Sequence, residues 1–96
     1  MTLESLLQSD EVIIIDVRTP TEFMGGHVAN SINIPLHELP MRMHEFTELK
    51  KPVVLCCASG GRSAQAAYYL SQQGIAHCYN GGSWMDVNYV KNNRNL

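Results

Sequence analysis

The chain has 96 residues, 45% of them hydrophobic and 17% charged, with a formal net charge of −2. That length suits a single domain spanning 1–96, and a chain of this size buries roughly 60–70% of the surface it would expose unfolded. The composition excludes a disordered segment. The lack of a basic stripe excludes nucleic acid as a partner, and no apolar run approaches the ~20 residues of a membrane helix.

In chain order, Thr2 can cap a short helix through Leu7. The opening Met1-Thr2-Leu3-Glu4 has no basic stretch followed by an apolar one, so no signal peptide is expected and the cytoplasm is the expected location. Residues 12–15, Val-Ile-Ile-Ile, are all β-branched and suit a strand buried on both faces. Thr19-Pro20-Thr21-Glu22 is a capping box with proline at the first helical position, and Gly25-Gly26 keeps that helix short. Residues 31–34, Ser-Ile-Asn-Ile, alternate and stop at Pro35, as a shorter strand does. Apolar residues at 36, 39, 43 and 46 have helical spacing, with Pro40 imposing a break or a new start.

Residues 53–56, Val-Val-Leu-Cys, form a second apolar strand after Pro52. Residues 63–73 place Ala66, Ala67 and Leu70 on one helical face, and Gly74 is a natural stop. A weaker strand is expected at 76–79 and a last helix at 84–90, while the polar, Asn-rich 91–96 are expected to fray. Strands and helices alternate, which predicts an α/β fold: a central parallel sheet of five, or four, strands flanked by helices. Ligands of such folds bind at the carboxyl ends of strands. Two segments there carry chemistry, Asp16-Val17-Arg18 and the run from Cys57 to Ser63.

The three cysteines, at 56, 57 and 78, are an odd count that makes a poor disulfide framework. No cysteine pair has metal-ligand spacing and the four histidines are scattered, so neither a metal nor a cofactor is expected. Cys57 heads a loop of small residues, Ala58, Ser59, Gly60 and Gly61, with Arg62 and Ser63 opening a helix. Such a strand–loop–helix unit can turn successive backbone N–H groups inward as an anion nest, and the helix adds the positive end of its dipole.

A free cysteine has a pKa of ~8.5, and lowering it by two units takes about 2.7 kcal/mol. The dipole supplies roughly 0.3–2 kcal/mol. Each hydrogen bond to a charged group supplies roughly 1.5–3 kcal/mol. Two or three amides with the dipole therefore suffice to hold a thiolate without a histidine base. Neighbouring strand residues face opposite ways, so Cys56 is expected to pack in the sheet as a small hydrophobe. Cys78 reads the same way, with a resolving thiol as its alternative role.

The motifs together resemble the rhodanese homology domain. Residues 15–23 (Ile-Asp-Val-Arg-Thr-Pro-Thr-Glu-Phe) are similar to its first signature and Gly26-His27-Val28 through 31–36 to its second. The Cys57 loop is similar to its active-site loop, and Asn80-Gly81-Gly82 with Trp84 to its C-terminal signature. The resemblance implies a sulfurtransferase that moves a sulfane sulfur from thiosulfate or a persulfide donor through a Cys57 persulfide to a thiophilic acceptor. It implies that Ala58, Ser59, Gly60, Gly61, Arg62 and Ser63 bind the sulfur species, with Asp16 and Arg18 near the loop as a structural ion pair or a substrate-orienting set. Glu22 then reads as a cap residue, Gly26-His27 and Gly81-Gly82 as turn elements, and Trp84 as packing.

The expected partners are a small-molecule donor and acceptor, or a protein persulfide, acting on a monomer. The competing classes are a non-catalytic interaction module on the same fold and a cysteine-dependent phosphatase or arsenate reductase. Four residues separate Cys57 from Arg62. Phosphatase-like relatives carry one more residue, worth at most ~3.3–3.6 Å of contour, so the shorter loop favours sulfur over phosphate. Ala58 and Ser59 stand where some thiosulfate-using members carry basic residues, which makes a persulfide a candidate physiological donor.

Overall fold

A computed structural model describes residues 2–93. Thr2 Oγ1 accepts from the Ser5 N–H at 3.0 Å and starts α1, Leu3–Gln8. Thr19 Oγ1 accepts from the Glu22 N–H at 3.2 Å, and Glu22 Oε1 accepts from the Thr19 N–H at 3.1 Å. This reciprocal box starts α2, Pro20–Met24, with the proline at its head.

Four strands make the sheet: β1 (Ile13–Asp16), β2 (Ile32–Asn33), β3 (Val53–Cys57) and β4 (Cys78–Ser83). All pairs are parallel, in the order β2-β1-β3-β4. Of the four or five strands expected, four are present among the described residues. β3 lies between β1 and β4 and is buried along its length. Its alternation splits the core. Val53, Leu55 and Cys57 join Ile15, Leu39, Phe46, Ala66 and Leu70 on one face. Val54 and Cys56 join Leu6, Leu7, Ile14 and Val87 on the other. Burial on both faces is the reason the two central strands read as unbroken apolar runs.

The first face is covered by a 3₁₀ helix (Leu36–Met41), α3 (Met43–Thr47) and α4 (Gly61–Gln72), the second by α1 and α5 (Trp84–Asn92). Pro40 sits inside the 3₁₀ helix, and the expected 36–46 helix becomes two pieces because proline has no N–H for an α-helical ladder. Lys91 and Asn92 close α5, where a frayed tail was expected from 91 onward; 94–96 lie outside the described residues. β4 begins later than the expected 76–79 and runs on through Asn80, Gly81, Gly82 and Ser83.

Those last residues have little strand propensity, and pairing with β3 holds them in place. The β3–β4 register shifts between Leu55, opposite Asn80, and Cys56, opposite Gly82. Gly81 is thus the extra residue of a bulge. A Cβ there would lie 2.5 Å from Val54 Cγ1 and 3.1 Å from the Leu55 carbonyl oxygen, so only glycine fits.

Candidate active site

Cys57 is the last residue of β3 rather than the first of the loop, and is 1% exposed. Its Sγ accepts from the Gly60 N–H at 3.0 Å and the Ser63 N–H at 3.4 Å, with Ser63 Oγ also 3.4 Å away. Gly60 adopts φ 102° at the N-cap of α4, a left-handed turn that costs glycine nothing and brings its N–H back over the sulfur. α4 therefore starts at Gly61, one or two residues before the expected opening at Arg62 or Ser63. Its first amides, at Gly61 and Arg62, precede any intrahelical partner. Ala58 and Ser59 are exposed at the rim.

Burial pushes the Cys57 thiol up, but the Ser63 hydroxyl and the amides of Ser63, Gly60 and Ser59 outweigh it and hold the thiol below its ordinary value. The other cysteines go the opposite way. Burial, with the Asp16 carboxylate adding to it, pushes Cys56 up to about 12. Burial alone pushes Cys78 up to about 11. The strand alternation that separates Cys56 from Cys57 thus separates an inert thiol from an acidic one.

The structure puts Asp16 and Arg18 together, both buried, at the carboxyl end of β1. Arg18 Nε lies 3.0 Å from each Asp16 oxygen, and Nη2 lies 2.8 Å from Oδ2. Arg18 Nη2 also donates to the Gly26 carbonyl at 2.6 Å and Nη1 to the Glu22 carbonyl at 3.3 Å. The guanidinium sits 4.8 Å from the centroid of the Trp84 ring, a cation–π distance. The pair clasps β1, the end of α2 and the start of α5. Trp84 packs there, also against Gly26, where an added Cβ would lie 3.1 Å from its ring.

Arg62, half-buried, makes a two-pronged ion pair with Glu22: Nη1 to Oε1 at 2.6 Å and Nη2 to Oε2 at 2.9 Å. Hydrogen bonds from Arg62, then from Thr19, hold the Glu22 carboxyl down at about 2. Glu22 is therefore both the cap of α2 and the counter-ion of the loop arginine. The capping box reveals only the first role, because the second spans 40 positions of sequence. Asn80 lies in the C-terminal motif, but the sequence assigns it no part in the cysteine site. Its Oδ1 accepts from Ser63 Oγ at 2.6 Å and from the Gly82 N–H at 3.0 Å. A cavity of 430 Å³ between α1 and β4 is lined by Leu3, Leu6, Cys78 and Tyr79, and by Asn80 itself.

The chain belongs to the rhodanese-like domain family, which matches residues 2–86. It is 38% identical over 77 residues to a sulfurtransferase of Allochromatium vinosum, covering 80% of this chain and 71% of the relative. It is 38% identical over 74 residues to the thiosulfate sulfurtransferase PspE of Escherichia coli, covering 76% and 71%. A relative in Bacillus subtilis, the uncharacterised protein YqhL, is 45% identical over 67 residues; the match covers 70% of this chain and 52% of that protein. Among solved structures, a rhodanese-related protein of Thermoplasma volcanium superposes with a TM-score of 0.72 at 35% identity, covering 82% of this chain and 77% of that one. The relatives' names support a rhodanese-type sulfurtransferase as the general kind. Among the described residues no helix is long and apolar enough to cross a membrane.

Proposed function

We propose that this domain transfers sulfane sulfur through Cys57. The observation that carries the reading is the cradle around one of two adjacent thiols: Cys57 Sγ accepts from the Gly60 N–H at 3.0 Å and the Ser63 N–H at 3.4 Å, while Cys56 is buried on the other face of the sheet. The Cys57 thiolate attacks the outer sulfur of a persulfide, R–S–S⁻. The Sγ–S bond forms, the donor S–S bond breaks, and R–S⁻ leaves. Charge is conserved and no separate oxidant is needed. The N–H groups of Gly61 and Arg62, in the first turn of α4, would donate to the terminal sulfur of the Cys57 persulfide as charge-assisted hydrogen bonds at a helix N-terminus. An acceptor thiolate or other thiophile then takes that sulfur and returns the Cys57 thiolate.

Thiosulfate can enter the same sequence, with sulfite leaving. The charge arrangement favours persulfide over this dianion. Arg62 is occupied by Glu22 and Arg18 by Asp16, so neither guanidinium beside the loop is free to receive the sulfonate. A low-molecular or protein persulfide, with one negative charge on the transferred sulfur, needs only the amides.

The test is intact-protein mass after exposure to thiosulfate and to a glutathione persulfide. The wild type gains one sulfur atom, faster from the persulfide, and a thiol acceptor removes it. Cys57→Ser gains none. Sulfur loading of Cys57→Ser at the wild-type rate would overturn the reading.

A further inference from the structure

Ser63 has one hydroxyl proton and three oxygen or sulfur neighbours that could take it. Asn80 Oδ1 lies at 2.6 Å, the Gly60 carbonyl oxygen at 3.2 Å and Cys57 Sγ at 3.4 Å. The orientation of the Asn80 amide follows from its other partner. The Gly82 N–H is a donor, so the atom facing it at 3.0 Å is the amide oxygen and cannot be the NH₂ group. That same oxygen faces Ser63, and an oxygen acceptor obliges the hydroxyl to donate. Regular pairing sets Asn80 opposite Leu55, on the α4 side of the sheet, and the Gly81 bulge that follows turns the Gly82 N–H back onto the Asn80 side chain.

We infer that Asn80 is a positioning residue of the Cys57 site, one that holds the Ser63 hydroxyl proton away from the sulfur. While Cys57 is a thiol, its S–H donates to Ser63 Oγ, and Ser63 donates to Asn80. Once Cys57 is a thiolate it has no proton to give. The hydroxyl then swings its proton to Sγ, and the Asn80 bond is broken. Asn80 and the thiolate compete for one proton. When Sγ carries a second sulfur it is again uncharged, and the hydroxyl returns to Asn80. The pair therefore disfavours the empty thiolate while leaving the thiol and the sulfur-loaded form at ease, and so inclines the site toward staying loaded. The inference rests on Cys57 being the reacting thiol of the proposed sulfur transfer.

The charged and titratable groups around the sulfur are Arg62 at the start of α4, its partner Glu22 on α2, the buried Asp16–Arg18 pair from β1, and the neighbouring Cys56 on β3. None of them bonds the Ser63 hydroxyl or the Asn80 amide.

The experiment is the rate of alkylation of Cys57 by iodoacetamide across pH, read residue by residue by mass spectrometry, in a square of variants. Asn80→Ala frees the hydroxyl for the thiolate, and the midpoint falls by about half a unit to one unit. Ser63→Ala raises the midpoint, and Asn80→Ala added to it produces no further shift. Should Asn80→Ala fail to fold, Asn80→Asp keeps both acceptor bonds. It raises the midpoint, and raises it more with Ser63 present than with alanine at 63. A midpoint that does not move with either Asn80 variant, or that moves equally with and without the Ser63 hydroxyl, overturns the inference. Alkylation reads the thiol whether or not sulfur is transferred. A failure here therefore leaves the sulfur-loading result standing, and a failure of sulfur loading leaves this one standing.

Discussion

Alanine at position 81 tests the joint on which the site is built. Its methyl carbon would lie 2.5 Å from Val54 Cγ1, 2.9 Å from Val87 Cγ2 and 3.1 Å from the Leu55 carbonyl oxygen. Val54 is 0% and Val87 1% exposed, so neither has open space to turn into, and the carbonyl belongs to the central strand. Overpacking a close-packed core costs roughly 1–3 kcal/mol, and two side-chain clashes plus a backbone one put this substitution near the upper end, at about 3 kcal/mol. A domain of this size is stable by roughly 5–15 kcal/mol. Each 1 kcal/mol moves Tm by about 4–8 °C, so Gly81→Ala should melt roughly 12–24 °C below the wild type by circular dichroism. Gly61→Ala is the control. No atom lies within 4 Å of its added carbon, and its backbone needs no glycine. It should change stability by less than about 1 kcal/mol, in the stabilising direction. If the two variants melt within a few degrees of each other, the packing of the bulge against β3 and α5 is wrong.

Three more outcomes follow from the charges and thiols. In the native protein, alkylation at neutral pH should mark Cys57 alone; Cys78 and Cys56 should respond only as the pH approaches about 11 and about 12. Equal labelling of the three under native conditions would contradict the cradle. Glu22→Gln keeps a capping-box residue at the third helical position but gives up the counter-charge to Arg62. The freed guanidinium should lower KM for thiosulfate about two- to fivefold, with little effect on a persulfide donor; an unchanged KM would show that Arg62 is not being withheld. The same pair should leave a pH signature. Glu22 titrates at about 2 folded against an ordinary 4.5, a depressed value, so its contribution is complete above 4.5 and is lost as pH falls toward about 2. The Tm difference between wild type and Glu22→Gln should be flat above that window and shrink within it. A difference that instead grows as the pH falls would reverse the assigned sign.

Where local chemistry decides the outcome, the amino-acid order announces it. The β-branched run before Asp16 and the apolar run before Cys57 become the two central strands because each must be buried on both faces. Thr19 and Glu22 name the start of α2 because capping is a contact between neighbours. The cysteine is picked from its twin by simple alternation. What stays hidden is whatever depends on distant segments meeting. Residues 80–83 have poor strand chemistry and enter the sheet only because β3 offers them a ladder. The Arg62 guanidinium looks free until α2 folds against the loop. Asn80 is only part of a motif until the pairing of β4 with β3 brings it to Ser63. The last helix runs on through Lys91 and Asn92 despite the polar composition there, carried by the helix before them.

The pairing of Ser63 with Asn80 and of Arg62 with Glu22 has a consequence for the life of the chain before it is folded. Neither partner is within 16 positions of the other, and the strand that carries Cys57 is ordered by neighbours from both ends of the sequence. During synthesis or refolding, Cys57 is an ordinary cysteine with an ordinary, sluggish thiol. The Gly60 and Ser63 amides reach the sulfur only once the 57–63 loop has closed, and Asn80 reaches the Ser63 hydroxyl only once β4 lies beside β3. A chain whose loop is still open has no amide cradle around Cys57, so the domain does not present an activated sulfur nucleophile to oxidants or stray electrophiles until the loop that directs it is formed.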